Sequence, residues 1–152
     1  MDAPPQTSVL VVDDEPQVVW MLQFSLEADG FQTFHARDGR AALDELRQHR
    51  PQLVLLDIMM PVMDGWSVLQ WIQELPEGER PRVVVVSARA SLRDRAKAAE
   101  LGADAFVAKP FNVDDLIESL RSVLTTAPDA ARDLSLDGLL GGFGATPGIE
   151  PA

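Results

Sequence analysis

Cysteine is absent from all 152 residues, which removes disulfide scaffolds and thiolate zinc sites from consideration. Cations are scarce, with 13 Lys and Arg against 24 Asp and Glu and a formal net charge of −11. Affinity for a duplex rests largely on Lys and Arg neutralising phosphates, so direct nucleic-acid binding is disfavoured. An acidic surface otherwise speaks to solubility. Nor does any apolar run approach the roughly 20 residues of a membrane span. The amino terminus, MDAPPQTSVLVVDDE, carries no basic region ahead of its apolar run and does not read as a signal peptide. The expectation is a cytoplasmic protein with no membrane contact. The 46% hydrophobic content suffices for one domain with a real core.

Apolar runs at 9–12 (VLVV), 53–56 (LVLL), 83–86 (VVVV) and 105–108 (AFVA) are continuous rather than alternating. Parallel strands covered on both faces have that pattern. Residues 31–36 mix Phe31, Phe34 and Ala36 with Gln32, Thr33 and His35, as an edge strand does. Helical spacing links Val18, Leu22 and Leu26, then Ala42, Leu43 and Leu46. Asp64 is placed to cap a third helix, carrying Trp66, Leu69 and Ile72 and ending before Pro76. Ser91 and Asp94 form a capping-box pattern for a fourth, closed by Gly102. Asn112 can cap the last, striped by Leu116, Leu120, Val123 and Leu124. Strand and helix thus alternate five times, which makes an α/β fold with a doubly wound parallel sheet of five strands and right-handed crossovers.

On such a sheet the polar residues collect. Asp13, Asp14 and Glu15 follow the first strand, Asp57 the third, Ser87 the fourth and Lys109 the fifth. All lie on the carboxyl edge, where open α/β sheets bind ligands. Asp57 is therefore expected at a shared rim and not buried in the core. Three converging carboxylates raise at least one pKa and invite a divalent cation. An all-oxygen set without His or Cys suits Mg2+. With the Lys109 ammonium and the Ser87 hydroxyl, it makes a site for a phosphoryl group on Asp57. Singly, each residue has a plainer reading: Asp13 and Asp14 as helix-terminal charges, Asp57 as a turn cap through the Met59 or Met60 amide. Their convergence on one rim favours the site. Met59, Met60, Met63, Trp66, Trp71 and Phe111 read as packing residues. His35 and His49 lie away from the rim and receive no role.

The blocks VVDDEP, LLDIMMPVMDG, VSARA and GADAFVAKPF, in this order, resemble those of the response-regulator receiver domain of two-component signalling. The resemblance covers residues 8 to about 126. It implies the chemotaxis-type, flavodoxin-like strand order 2-1-3-4-5. It also implies that Asp57 accepts a phosphoryl group from a sensor histidine kinase or a histidine phosphotransfer protein. Mg2+, with Mn2+ as a substitute, would be held by Asp14, Asp57 and the Met59 backbone carbonyl, with Asp13 acting through water. Lys109 would pair with the phosphoryl oxygens, Ser87 and Phe106 would form the switch, and the Lys109–Pro110 bond would be cis. The protein would act as a switch that catalyses only its own phosphotransfer and dephosphorylation. It would signal to a downstream protein through its fourth helix, fifth strand and fifth helix.

Further expectations follow, some from composition and some from the resemblance. Residues 1–7 read as a flexible N-terminus, 8–126 as the receiver and 127–152 as a disordered Ala/Gly/Pro-rich tail without an output domain. The chain is then a stand-alone receiver or a fragment of a longer regulator. The tail has one cation, Arg132, against Asp129, Asp133, Asp137 and Glu150. Its Leu134, Leu136, Leu139, Leu140 and Phe143 read as a flexible end in preference to a docking segment. Arg80, Arg82, Arg89, Arg93, Arg95 and Lys97 cluster around the fourth helix as a local basic face, or as ordinary solvated charge. Arg95, Glu100, Asp104 and Asp115 match the dimerisation surface of DNA-binding regulators, but Ala105 and Ser119 replace a charged pair there. A monomer or weak dimer is expected, with an acidic partner on the basic face. Met59 and Arg89 flank the in-line path of water and are expected to prolong the phosphoryl lifetime. Two other classes compete. A Mg2+-dependent aspartyl phosphatase wants an acid two residues after its nucleophile, where this chain has Met59. A flavin protein wants a hydroxyl- and amide-rich phosphate loop, where this chain has Asp-Asp-Glu-Pro.

Overall fold

The continuous apolar runs become strands because both of their faces are covered. A computed structural model of the protein describes residues 6–126. Residues 1–5 and the tail at 127–152 lie outside the described residues, and the expectation of a disordered tail falls there with most of the expected flexible N-terminus; Thr7 is described, and its carbonyl accepts from the Gln32 amide at 2.9 Å. Strands β1 (Ser8–Val12), β2 (Gln32–Ala36), β3 (Leu53–Leu56), β4 (Arg82–Ser87) and β5 (Ala105–Ala108) form one sheet. They pair in parallel in the order β2-β1-β3-β4-β5. Helices α1 (Pro16–Ala28), α2 (Gly39–His49), α3 (Gly65–Gln73), α4 (Leu92–Glu100) and α5 (Val113–Thr125) make the crossovers, with a short 3-10 turn at Glu77–Glu79.

Successive strand residues feed opposite faces, as the pleat requires. Leu10, Val12, Leu56, Val85 and Phe106 pack with α2, α3 and α4. Val9, Val11, Leu55, Val84 and Val107 pack with α1 and α5. Each such side chain taken out of water contributes about 1.5–3 kcal/mol. β2 is an edge strand, as is β5, and only Ala36 in β2 is buried. In α1 the buried residues are Val19, Leu22 and Leu26, so Leu22 and Leu26 face inward as expected and Val19 takes the place expected for Val18. Val18 is half-buried at the margin of that face.

The caps behave as the sequence proposes. The Asp64 carboxylate accepts from the Ser67 amide, and Asn112 accepts from the Asp115 amide. Ser91 and Asp94 close a reciprocal capping box on α4. Asp38, which sequence reasoning passed over, caps α2 through the Ala41 amide. Among the described residues, no helix is long and apolar enough to cross a membrane.

Candidate functional site

The strand ladders continue one residue past their ends and so aim the rim residues. The Asp13 amide donates to the Ala36 carbonyl (3.1 Å), Asp57 to Val12 (2.9 Å) and Lys109 to Ser87 (2.9 Å). Ligand oxygens of Asp13, Asp14 and Asp57 lie within 4.8 Å of one another. Lys109 Nζ donates to Asp13 Oδ2 at 2.7 Å and to Asp57 Oδ2 at 3.4 Å, and stands 3.7 Å from Glu15 Oε1. The far oxygens are held too: Asp57 Oδ1 accepts from the Met59 amide and Asp13 Oδ1 from the Glu15 amide. Asp57 thus makes the turn-cap contact with one oxygen and faces Lys109 with the other. The Lys109–Pro110 bond is cis.

One expectation needs correcting. Asp57 is at the rim, yet it is only 5% exposed, and Asp13 only 3%. Only Asp14 of the three opens to solvent. Asp13 and Asp57 each directly follow a central strand, β1 or β3, with a strand on either side, whereas the chain beyond them opens to solvent at Asp14 and Met59. Burial drives the Asp57 carboxyl up to about 6; Lys109 opposes this, and Asp13 adds to it. For Lys109 burial works downward, but the Asp13 hydrogen bond and the charges of Asp57, Asp13 and Glu15 outweigh it, leaving the ammonium raised.

Around this core the other predicted residues take different places. Ser87 is the last residue of β4 and fully buried, and its Oγ accepts from the Arg89 amide at 3.1 Å. That leaves the hydroxyl proton to be donated elsewhere. Met59 lies beside Asp57 and is 54% exposed. Arg89, expected over the phosphoryl position, instead pairs with Asp94, Nη2 to Oδ1 at 3.4 Å. The capping box fixes that carboxylate beside it, and the Ser91 hydrogen bond holds it below the usual carboxylate range. Phe106 is already fully buried, with the Arg95 guanidinium 4.9 Å from its ring centroid. An outward-to-inward swing thus has no outward starting point in this structure.

The basic face is also reduced. Asp104 is 1% exposed, and its carboxylate accepts from the Val83 amide and pairs with Arg82 at 3.2 Å. It belongs to the interior, not to a partner surface. Lys97 lies 4.4 Å from the Trp66 ring centroid. Arg80 Nε donates to the Leu75 carbonyl. Arg93 and Glu100 are exposed and Asp115 is half-buried. The charges cluster in sequence, but the structure spends several of them internally. Trp66, Trp71 and Phe111 are packing residues, as expected, and His49 stacks on Phe34 away from the rim.

Sequence reasoning missed Gly65. A Cβ there would collide with the Asp57 carbonyl oxygen, and the Gly65 amide donates to the Ile58 carbonyl at 2.9 Å. Only glycine lets the start of α3 close against the Asp57 loop. The Asp-Gly pair at 64–65 was the available signal.

Comparison with known proteins agrees with this geometry. Residues 9–121 match the family model described as the response regulator receiver domain. Response regulator MprA of Mycolicibacterium vanbaalenii is 37% identical over 139 residues, covering 85% of this chain and 59% of MprA. Polar-differentiation response regulator DivK of Brucella anthropi is 34% identical over 120 residues, covering 79% of this chain and 98% of DivK. The chain thus spans little more than half of the first relative and nearly all of the second. The CheY-like response regulator receiver domain protein of Methanospirillum hungatei superposes with a TM-score of 0.74 at 28% identity, covering 79% of this chain and 94% of that one.

Proposed function

The chain belongs to the response regulator receiver domain family, and from that premise we propose that Asp57 is its phosphoacceptor. Receiver domains take phosphoryl groups from histidine kinases and signal to downstream partners. The observation that carries the assignment is the Lys109 ammonium shared between Asp13 and Asp57 inside a cluster of three carboxylates. A phosphatase reading gains nothing from the geometry, since Met59 offers no proton to a leaving group.

The donor set is all oxygen and rich in negative charge, which fits a hard divalent cation. Asp13, Asp14, Asp57 and the Met59 carbonyl would hold Mg2+, or Mn2+ in its stead. When bound, the metal supplies charge neutralisation and polarises phosphoryl oxygens. The protein's own groups do the rest. The Met59 amide fixes one Asp57 oxygen, and the other, facing Lys109, is the nucleophile. Its attack forms an acyl phosphate as the N–P bond of a donor phosphohistidine breaks. Lys109 stays protonated and meets the charge on the incoming phosphoryl oxygens. Ser87 has a hydroxyl proton to offer the same oxygens, and drawing it across would pull on the 87–90 loop.

The reading predicts that acetyl phosphate with Mg2+ adds one phosphoryl group, seen by intact mass. Asp57→Asn abolishes the gain. Modification of that variant at an unchanged rate overturns the assignment. A phosphotransfer profile against candidate histidine kinases would identify the donor.

A further inference from the structure

At the amino edge of the sheet, opposite the carboxylates, a groove of about 630 Å3 opens between α2, the end of α3 and the start of β4. Leu46, Trp71, Leu75 and Leu124 give it an apolar lining. Arg47, Arg50, Arg80 and Arg82 also line it, against one carboxylate, Glu79. On a chain of net charge −11 with 13 cations, four arginines at one groove is a marked local excess. Part of that charge is used inside the domain. Arg82 pairs with Asp104, and Arg47 lies 3.6 Å from Asp44 and 5.4 Å from the Trp71 ring centroid. The described residues show no ion pair for Arg50 or Arg80. Arg50, the α2 C-cap, is exposed.

Where the sequence by itself favours a flexible end, we propose that this groove docks the chain's own segment 133–143, DLSLDGLLGGF. The described residues end at the groove: Leu124 lines it, and the Thr126 carbonyl accepts a 2.7 Å hydrogen bond from Arg82. The sequence beyond Thr126 has the complementary chemistry. Residues 127–152 carry Asp129, Asp133, Asp137 and Glu150 against Arg132 alone. Asp133 and Asp137 bracket Leu134 and Leu136, with Leu139, Leu140 and Phe143 just beyond. Leucines would meet the apolar lining while the flanking carboxylates meet the arginines. The reach is ample, since the eight residues from Thr126 to Leu134 extend up to about 26 Å. Tethering also raises the local concentration to the millimolar range, so contacts too weak for a free peptide suffice. The other apolar surface, the stacked and exposed Trp20–Phe24 pair on α1, lacks this complementarity because α1 contains no cation.

Amide exchange on the full chain tests the proposal and reads no phosphoryl chemistry, so it stands or falls apart from the role of Asp57. At low salt the amides of 133–143 should exchange at least about tenfold more slowly than an unstructured chain. About 0.5 M salt should weaken that protection by screening the arginines. Arg50→Glu with Arg80→Glu should abolish it. Leu139→Ser with Leu140→Ser, which changes no residue of 6–126, should abolish it too and speed exchange at 71–82. Unstructured rates throughout 133–143 in the parent protein would overturn the proposal. So would protection that grows with protein concentration, which would seat the segment on a second copy. So would a response of 16–28 in place of 71–82.

Discussion

Asp57 sits where its charge is poorly tolerated, and that sets a pH signature. Its folded carboxyl titrates near 6 against 3.8 for the ordinary group. Between those values the folded state keeps the proton and the unfolded state has lost it, so this group's contribution falls as pH rises from 4 toward 6. Above 6 the ionised group costs the fold on the order of 2–3 kcal/mol. Asp57→Asn removes that cost. In metal-free buffer the variant should melt higher than the parent at about pH 7.5 and no higher near pH 4. An equal gain at both pH values would point to a packing effect instead. The two lifetime residues separate at this scale as well. Met59 is exposed beside Asp57, whereas Arg89 is engaged by Asp94. Met59→Asn should therefore speed phosphoryl loss by at least about threefold, a barrier drop of about 0.65 kcal/mol or more. Arg89→Glu should change it less. Decay of the phosphorylated proteins in Mg2+ measures both, and the reverse ranking would restore Arg89 as the shield.

Two elements bear on the site. The start of α3 is one, because Gly65 closes it against the Asp57 carbonyl. Gly65→Ala forces a backbone contact apart and should destabilise the fold by about 1–3 kcal/mol. Since the displaced atoms carry the phosphoacceptor, the rate of phosphorylation should fall with it. Denaturant melts and acetyl phosphate kinetics check the pair, and full activity with lost stability would disconnect them. The other is the stretch from Ser87 through α4. Phe106 is already buried under Arg95, so little of β5 remains to rearrange. A phosphoryl mimic such as beryllofluoride with Mg2+ should slow amide exchange at 87–95 and leave 105–108 nearly unchanged. This is a population shift in the loop and helix. A large change confined to β5 would bring back the aromatic swing.

Across the whole molecule, a net charge of −11 and a rim of buried carboxylates both favour a cation ligand. Mg2+ at ten times its dissociation constant should stabilise the fold by about 1.4 kcal/mol. The gain should shrink in Asp57→Asn, which loses one ligand charge. The α4-β5-α5 surface has less to offer a second copy than its sequence suggests. Asp104 is interior and Ser119 is buried, so two positions matched to a charged interface present no charge outward. Beryllofluoride should leave the protein monomeric at micromolar concentration in sedimentation, and a tight dimer would contradict this.

Much of this was legible along the chain. Four unbroken apolar runs and their spacing dictate a parallel sheet, because only strands covered on both faces tolerate such runs. Once the sheet is parallel, Asp13, Asp57, Ser87 and Lys109 must share one edge, since each directly ends or follows a strand. Local rules also settle the caps at Asp64, Ser91 and Asn112, for an N-cap needs only a side-chain oxygen within three residues of its amide. What required the tertiary structure is everything set by which neighbour arrives. The burial of Asp57 depends on flanking strands from distant parts of the chain, and with it the rise of its pKa. Arg89 turned to Asp94, Arg82 to Asp104, Arg95 to Phe106 and Lys97 to Trp66, so a run of cations that reads as one face is dispersed among separate partners. Sequence spacing determines the edge or face on which a residue lies. Which opposite charge or ring it meets there is decided only when remote elements pack, because the energy of a charge depends on its partner and on the water that partner excludes.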